Sequence, residues 1–251
     1  MDCNKSLKTS TEIRIPCYDT SQSQVLRPSA MFNYCQELSN DSSDALGFGY
    51  DDLIKDGLVW IISRMHVIFH SSPRWRDTVK LCTWHKGRDG VYFLRDYLMT
   101  GEDGAVIAAA TSSWAVLNLQ ERSVVTNPAY GSDESLICRE DAIPAPCPRM
   151  VIPKGMVMEP CGKRQVRFSD IDRNRHTNNA MYVSWAMDAL DFDFLLANPL
   201  KEIFMNFRSE TRASDEVELY RNISTDPTGR KVATVTGMCG GKLSFIAKMI
   251  F

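Results

Sequence analysis

A repeat inside the chain limits its fold more than any other feature. Ile68-Phe69-His70-Ser71-Ser72-Pro73-Arg74-Trp75-Arg76-Asp77-Thr78-Val79-Lys80-Leu81 reads as a strand, a break and a second strand. Asn206-Phe207-Arg208-Ser209-Glu210-Thr211-Arg212-Ala213-Ser214-Asp215-Glu216-Val217-Glu218-Leu219 repeats it 138 residues later, with Asp-x-Val-x-Leu in the same place. A helical pattern precedes each copy. Pro28 to Ala45 sets Met31, Tyr34, Cys35, Leu38 and Ala45 at three-and-four spacing, and Pro28 and Ser29 suit a helix start. Asn178 to Leu190 does the same with Met181, Tyr182, Trp185, Ala186, Ala189 and Leu190, a stripe wide enough to be buried on most sides. Strand runs joined by hairpin turns follow each copy: Tyr92 to Thr100 and Ala105 to Leu117 around Gly101-Glu102-Asp103-Gly104, and Lys231 to Met238 and Leu243 to Phe251 around Gly240-Gly241. A long apolar helix among antiparallel strands is best buried by a sheet that wraps around it. The expected class is α+β, with two such units in tandem.

Proline marks the boundary. Six of the eleven fall between Pro128 and Pro160, so residues 128–160 are expected to connect a first unit, 1–127, to a second, 161–251. The composition is that of a globular protein: 44% hydrophobic, 24% charged, 29 basic against 31 acidic residues and a net charge of −2. Such a chain has no global basic field, which argues against nucleic acid as a main partner. The longest apolar runs, Leu58 to Ile62 and Ala105 to Ala110, are far too short to span a bilayer. The first ten residues lack the apolar stretch of a secretory signal, so the expected location is the cytoplasm. The eight cysteines, at 3, 17, 35, 82, 138, 147, 161 and 239, never form Cys-x-x-Cys, which argues against a zinc ribbon and a disulfide staple and leaves most of them as buried small hydrophobes. With four histidines and no His-Glu-x-x-His, no metal or other cofactor is expected.

Residue types suited to catalysis concentrate in Arg167-Phe168-Ser169-Asp170-Ile171-Asp172-Arg173-Asn174-Arg175-His176-Thr177-Asn178-Asn179, just before the second helix. If this run is extended, Asp170, Asp172, Asn174 and His176 share one side. The helix start would add free backbone N–H groups and a positive dipole end, suited to an oxyanion. Asp170-x-Asp172-x-Asn174 opens like a calcium loop, but Arg175 replaces the required glycine and Met181 the closing glutamate. Capping accounts for Asp, Asn or Thr singly, and does not account for the histidine. No nucleophile elbow, phosphate-binding loop or dinucleotide fingerprint is present.

Asp172-x-Asn174-x-His176-x-Asn178-Asn179-x-x-Tyr182-x-x-Trp185 closely resembles the signature of acyl-[acyl carrier protein] thioesterases, the bacterial relatives of the plant enzymes that end fatty-acid synthesis. Leu46-Gly47-Phe48-Gly49-Tyr50, Trp60-Ile61-Ile62-Ser63-Arg64, Pro73-Arg74-Trp75, Thr83-Trp84 and Arg95-Asp96 look like the same family's first-half landmarks, in order. The resemblance implies a double hotdog fold, each half a long helix wrapped by an antiparallel sheet. It also implies hydrolysis of the thioester between a fatty acyl chain and the phosphopantetheine of acyl carrier protein, the arm arriving with the substrate.

By the same resemblance Phe207-Arg208-Ser209-Glu210-Thr211 is the family's second catalytic element, in which plant members often place a cysteine after the glutamate and this chain has Thr211. The implied catalytic set is Asp172, Asn174, His176 and Glu210, with Glu210 and His176 activating water and Asn174 facing the oxyanion. Asp172 would orient Asn174 or His176, or attack to form an anhydride. The position matching Glu210 in the first half is Ser72, and the matching helix start is read as offering Asn40 and no histidine. Chemistry is thus expected in the second half only, with the acyl chain in the first, near Met31, Tyr34, Cys35, Leu38, Trp60 and Trp84. An acidic carrier protein would dock on Arg173, Arg175, Arg64 and Arg74, with Arg76 and Lys163-Arg164-Gln165-Val166-Arg167 also basic. The rival readings are an acyl-coenzyme A thioesterase, a hotdog hydratase and a non-catalytic acyl-thioester sensor. Either a monomer or a homodimer fits, the latter through an exposed sheet edge.

Overall fold

The structure, a computed structural model, describes residues 7–251; Cys3 and the start of the chain, on which the leader expectation rests, lie outside them. The chain divides into two compact units, Met1–Cys147 and Pro148–Phe251. No helix among the described residues is long and apolar enough to cross a membrane.

The first unit runs β1 (Lys8–Arg14), α1 (Pro28–Ala45), α2 (Tyr50–Leu53), β2 (Leu58–Phe69), β3 (Thr78–Asp89), β4 (Tyr92–Gly101), β5 (Val106–Asn118) and β6 (Ser123–Val124). Its strands pair antiparallel in the order β2-β5-β4-β3-β1, with β6 on β5. The second unit runs β7 (Glu159–Gln165), α3 (Asn179–Asp188), α4 (Phe192–Ala197), β8 (Glu202–Phe207), β9 (Glu216–Thr225), β10 (Lys231–Cys239) and β11 (Lys242–Ile250). Its order, β8-β11-β10-β9-β7, is that of the first unit strand for strand. Each unit is thus a hotdog, a helix wrapped by an antiparallel sheet.

Helix α1 begins where proline fixes the first turn and ends before Gly47, whose φ of 77° a side chain would resist. It buries Ala30, Met31, Phe32, Cys35 and Leu38 against strands that contribute Met65, Leu81, Tyr97 and Met99. Helix α3 buries Ala180, Tyr182, Val183, Trp185 and Ala186, with Trp185 wholly enclosed. That matches its wide apolar stripe.

Residues 138–147 lie over the outer face of the first sheet. Lys86 reaches Asp96 at 3.1 Å, Asp141 at 2.6 Å and the Ile143 carbonyl at 2.7 Å. The Asp96 carboxylate also accepts from the Ala142 N–H, and the Trp84 indole donates to the Glu140 carbonyl. Cys138, buried within this stretch, is disulfide-bonded, which corrects the expectation that no disulfide forms. Cys35 and Cys147 are buried thiols, Cys82, Cys161 and Cys239 are partly buried and Cys17 is exposed. The small-hydrophobe reading therefore holds for fewer cysteines than expected. Spacing in sequence carries no record of which strand face a thiol meets.

Strand β10 approaches its neighbours closely at Gly237, where the pairing with β11 shifts register. A Cβ there would lie 2.2 Å from a Phe245 ring carbon and 2.9 Å from a Val217 methyl. Gly237→Ala overpacks this core and is expected to cost about 1–3 kcal/mol. Urea unfolding should show a lower midpoint at unchanged slope.

Candidate active site

The run before α3 is not extended. After a short 3-10 turn, Phe168–Asp170, the chain forms a tight hairpin closed by a bridge between Ile171 and Thr177. The Asp172 N–H donates to the His176 carbonyl at 2.9 Å, and the Arg175 N–H to the Asp172 carbonyl at 3.0 Å. Arg175 takes φ 64°, the left-handed conformation that completes this kind of three-residue hairpin. The turn breaks the alternation on which the one-sided reading of Asp170, Asp172, Asn174 and His176 depended. Asp170 points inward and accepts from the Arg167 N–H. The Asp172 carboxylate accepts the Asn174 main-chain N–H at 2.8 Å, an Asx turn, and Asn174 sits exposed at the tip.

His176 and Glu210 meet. The His176 Nε2 lies 3.1 Å from a Glu210 carboxylate oxygen, and the other oxygen accepts from Arg212 at 2.8 Å. The two side chains are each about one-third exposed, at 32% and 34%, so the pair is reachable from solvent. What joins them is the residue after each. The Thr177 N–H donates to the Thr211 carbonyl at 2.9 Å, and the two hydroxyls are 2.7 Å apart. The Tyr182 hydroxyl, reaching from α3, lies 2.9 Å from the Thr211 hydroxyl and accepts the Thr211 N–H at 3.0 Å. Thr211 is 0% exposed. The residue in the place of the plant cysteine is therefore a buried tie between two loops, and it is not offered to a substrate. No free cysteine takes part in these contacts, and burial pushes the Cys35 thiol well up.

The start of α3 has fewer free donors than expected. The Asn178 side chain caps it by accepting from Ala180, the Asn178 N–H is bonded to Asp170, and the Met181 N–H to the Asn178 carbonyl. Of the main-chain amides at the helix start, that of Asn179 has no hydrogen bond to another of the described residues.

The first unit holds the same frame. Thr20 bridges Leu26, the Ser21 N–H donates to the Val25 carbonyl, Gln24 takes φ 60°, and the Leu26 N–H donates to the Pro73 carbonyl as Thr177 does to Thr211. By this correspondence Val25 stands in the place of His176, Ser72 of Glu210, Ser21 of Asp172 and Ser23 of Asn174. Asn40 is not the counterpart: it lies well inside α1, a helix nearly twice the length of α3, and that added length misled the alignment of the two halves.

The inner side of the first unit contains a small, partly open cavity lined by Asn40, Phe48, Trp60, Phe93, Arg95 and Trp114 among others. Of the expected chain-lining residues Trp60 is there. Met31, Cys35 and Leu38 are core, Tyr34 donates to Asp19, and Trp84 faces the opposite side of the sheet. Phe93 and Arg95 line it as well, and alternation along β4 places both on the inner face with Tyr97. The expected docking cations differ in their surroundings. Arg64 is half-buried over the Tyr92 ring and donates to the Cys147 carbonyl. Arg74 donates to the Ser23 carbonyl, Arg76 stacks on Trp75, Lys163 pairs with Glu216, and Arg164 pairs with Asp188. Arg173 and Arg175 are exposed on the site hairpin itself.

Comparison with known proteins finds the N-terminal domain of acyl-ACP thioesterases over residues 6–128 and the C-terminal domain over residues 161–240. A palmitoyl-acyl carrier protein thioesterase of Gossypium hirsutum is 25% identical over 89% of this chain and 57% of its own. An oleoyl-acyl carrier protein thioesterase of Arabidopsis thaliana is 24% identical, again over 89% of this chain and 66% of its own. The chain thus spans about three-fifths of the length of these curated relatives. Among solved structures, an acyl-ACP thioesterase from Bacteroides thetaiotaomicron superposes with a TM-score of 0.88 at 18% identity, covering 98% of both chains. The 12:0-ACP thioesterase of Umbellularia californica superposes at 0.84 and 20% identity, over 97% of this chain and 93% of its own. At these identities the likeness establishes the fold.

Replacing Thr211 by Val keeps its volume and removes the hydroxyl that ties Thr177 to Tyr182. The expected cost is about 1–2 kcal/mol, and Thr211→Ser should recover most of it. Thermal unfolding of the two variants measures the difference.

Proposed function

The chain belongs to the acyl-ACP thioesterase family, and from that premise we propose that it hydrolyses fatty acyl thioesters of acyl carrier protein, releasing the free fatty acid. The observation that carries the proposal is the His176–Glu210 pair, held at 3.1 Å on two loops that are themselves tied together. A carboxylate beside an imidazole, open to solvent, is the equipment of general base catalysis.

Glu210, with His176, takes a proton from a water molecule as its oxygen attacks the thioester carbonyl carbon. The carbonyl oxygen becomes an oxyanion, facing the Asn174 side chain and the free N–H of Asn179. When the adduct collapses the carbon–sulfur bond breaks, the pair returns its proton to the departing thiolate, and a carboxylic acid and a thiol remain. Asp172 holds the turn that presents Asn174. Its carboxylate is engaged in the Asx turn, and this favours water over Asp172 as the nucleophile. The buried Thr211 gives no support to a covalent route.

In this reading the second unit carries the chemistry and the first, whose matching loop has Val25 and Ser72, receives the acyl chain in its cavity. Arg173 and Arg175 receive the acidic carrier protein. The enzyme works in the cytoplasm, as a monomer or homodimer, with no cofactor of its own.

Release of fatty acid from a panel of acyl carrier protein and coenzyme A thioesters, read by mass spectrometry, tests the activity. His176→Ala and Glu210→Ala should each lower kcat/KM by about 10² or more, as expected for loss of a general base. Unchanged release in either variant would remove that residue from the mechanism. Arg173→Glu with Arg175→Glu should raise KM for carrier-linked substrates, more so at low salt, and leave coenzyme A esters little changed. An equal rise for both would reject carrier docking there.

A further inference from the structure

The first unit's cavity holds a cation with no counter-charge. Arg95 is 5% exposed, and its guanidinium donates to the Ser42 hydroxyl at 2.8 Å and the Thr83 hydroxyl at 3.4 Å. No carboxylate lies within ion-pair reach of it among the described residues. Arg95 is one of the residues that line the cavity. The other polar groups nearby are accounted for. Ser39 bonds the Cys35 carbonyl and the Tyr97 hydroxyl, Tyr97 and the Trp114 indole both meet Ser112, and His85 contacts the Gly131 carbonyl. None of these groups supplies a negative charge: burial holds His85 neutral, its pKa pulled down to about 4, and raises Tyr97 to about 12. The contrast within the same unit is Lys86, which meets two aspartates.

A buried charge without a partner is costly, and a guanidinium fork matches a carboxylate with two parallel hydrogen bonds. The cavity walls beside it are Phe48, Trp60, Phe93 and Trp114, which suit carbon chain. We propose that this cavity is a binding site for the carboxylate of an aliphatic acid, with Arg95 as its anchor and Asn40 as a second donor. Two sources share that chemistry: the free fatty acid released by the proposed reaction, and the far carboxylate of a dicarboxylic acyl thioester. Both sources rest on the proposed hydrolase reading; the binding site itself does not.

Isothermal titration of the full chain with decanoate and with decanol, equal in length and different in charge, tests the site. Decanoate should bind at least tenfold more tightly. Arg95→Met should abolish that difference, and Arg95→Lys, which keeps charge without the fork, should retain part of it. Equal binding of acid and alcohol to the unaltered protein overturns the proposal with no variant needed. So does an acid preference that survives in folded Arg95→Met. Should Arg95→Met fail to fold, Asn40→Phe, which fills the cavity from α1, should abolish binding of both ligands; decanoate bound as before would overturn the proposal. Inhibition of decanoyl-carrier hydrolysis by decanoate identifies the product as the source. Faster turnover of the decanedioic half-thioester than of the decanoyl thioester identifies the substrate. Acid binding without hydrolysis of any thioester rejects the hydrolase reading alone, and hydrolysis without acid preference rejects this site alone.

Discussion

The candidate site depends on one peptide hydrogen bond, from the Thr177 N–H to the Thr211 carbonyl. Each threonine directly follows a residue of the pair, so fixing the two threonines fixes the Cα positions of His176 and Glu210 as well. The bond would be exchangeable with water on an open loop. Here it is sealed, because Thr177 and Thr211 are both buried and Tyr182 closes over them from α3. A side-chain pair on two loops loses entropy when it is ordered, and that loss is taken up in folding the core. The imidazole and carboxylate stay about one-third exposed, at 32% and 34%. Arg212 completes the arrangement by occupying the second Glu210 oxygen, so that the first is aimed at His176.

The twin frame around Leu26 and Pro73 shows that this scaffold is separable from the chemistry it carries. The main-chain bonds and the left-handed residue recur, while histidine and glutamate give way to valine and serine. The first unit retains instead an inward-facing cavity with a guanidinium at its wall. Two copies of one architecture have thus been fitted with different side chains, a histidine–glutamate pair in one and a cavity with a guanidinium at its wall in the other.

Much of this was visible in the sequence, for reasons that differ by element. Pro28 and the spacing of Met31, Cys35 and Leu38 define α1 to the residue, because proline restricts the helix start and burial restricts the face. His176 and Glu210 were found through a family motif, and the structure supplies what no motif holds, their contact. The hairpin of Asp172 to Arg175 was hidden because its left-handed position carries arginine where glycine or asparagine would have announced it. Asn40 was misplaced because the two helices differ in length, a difference that alignment by strand pattern does not see. The isolation of Arg95 was beyond the sequence altogether, since a missing counter-charge is a property of what surrounds a residue in space.

The duplicate frames have a consequence for how such a protein changes over generations. The contacts that set loop shape run mostly through peptide groups, which every amino acid except proline supplies in full. Substitution can therefore replace nearly every side chain on the hairpin while its path through space persists. Geometry is inherited through the main chain, and reactivity through a handful of positions placed upon it. The first unit shows how far this goes, since it keeps the frame with Leu26 and Pro73 where the second unit has its two threonines.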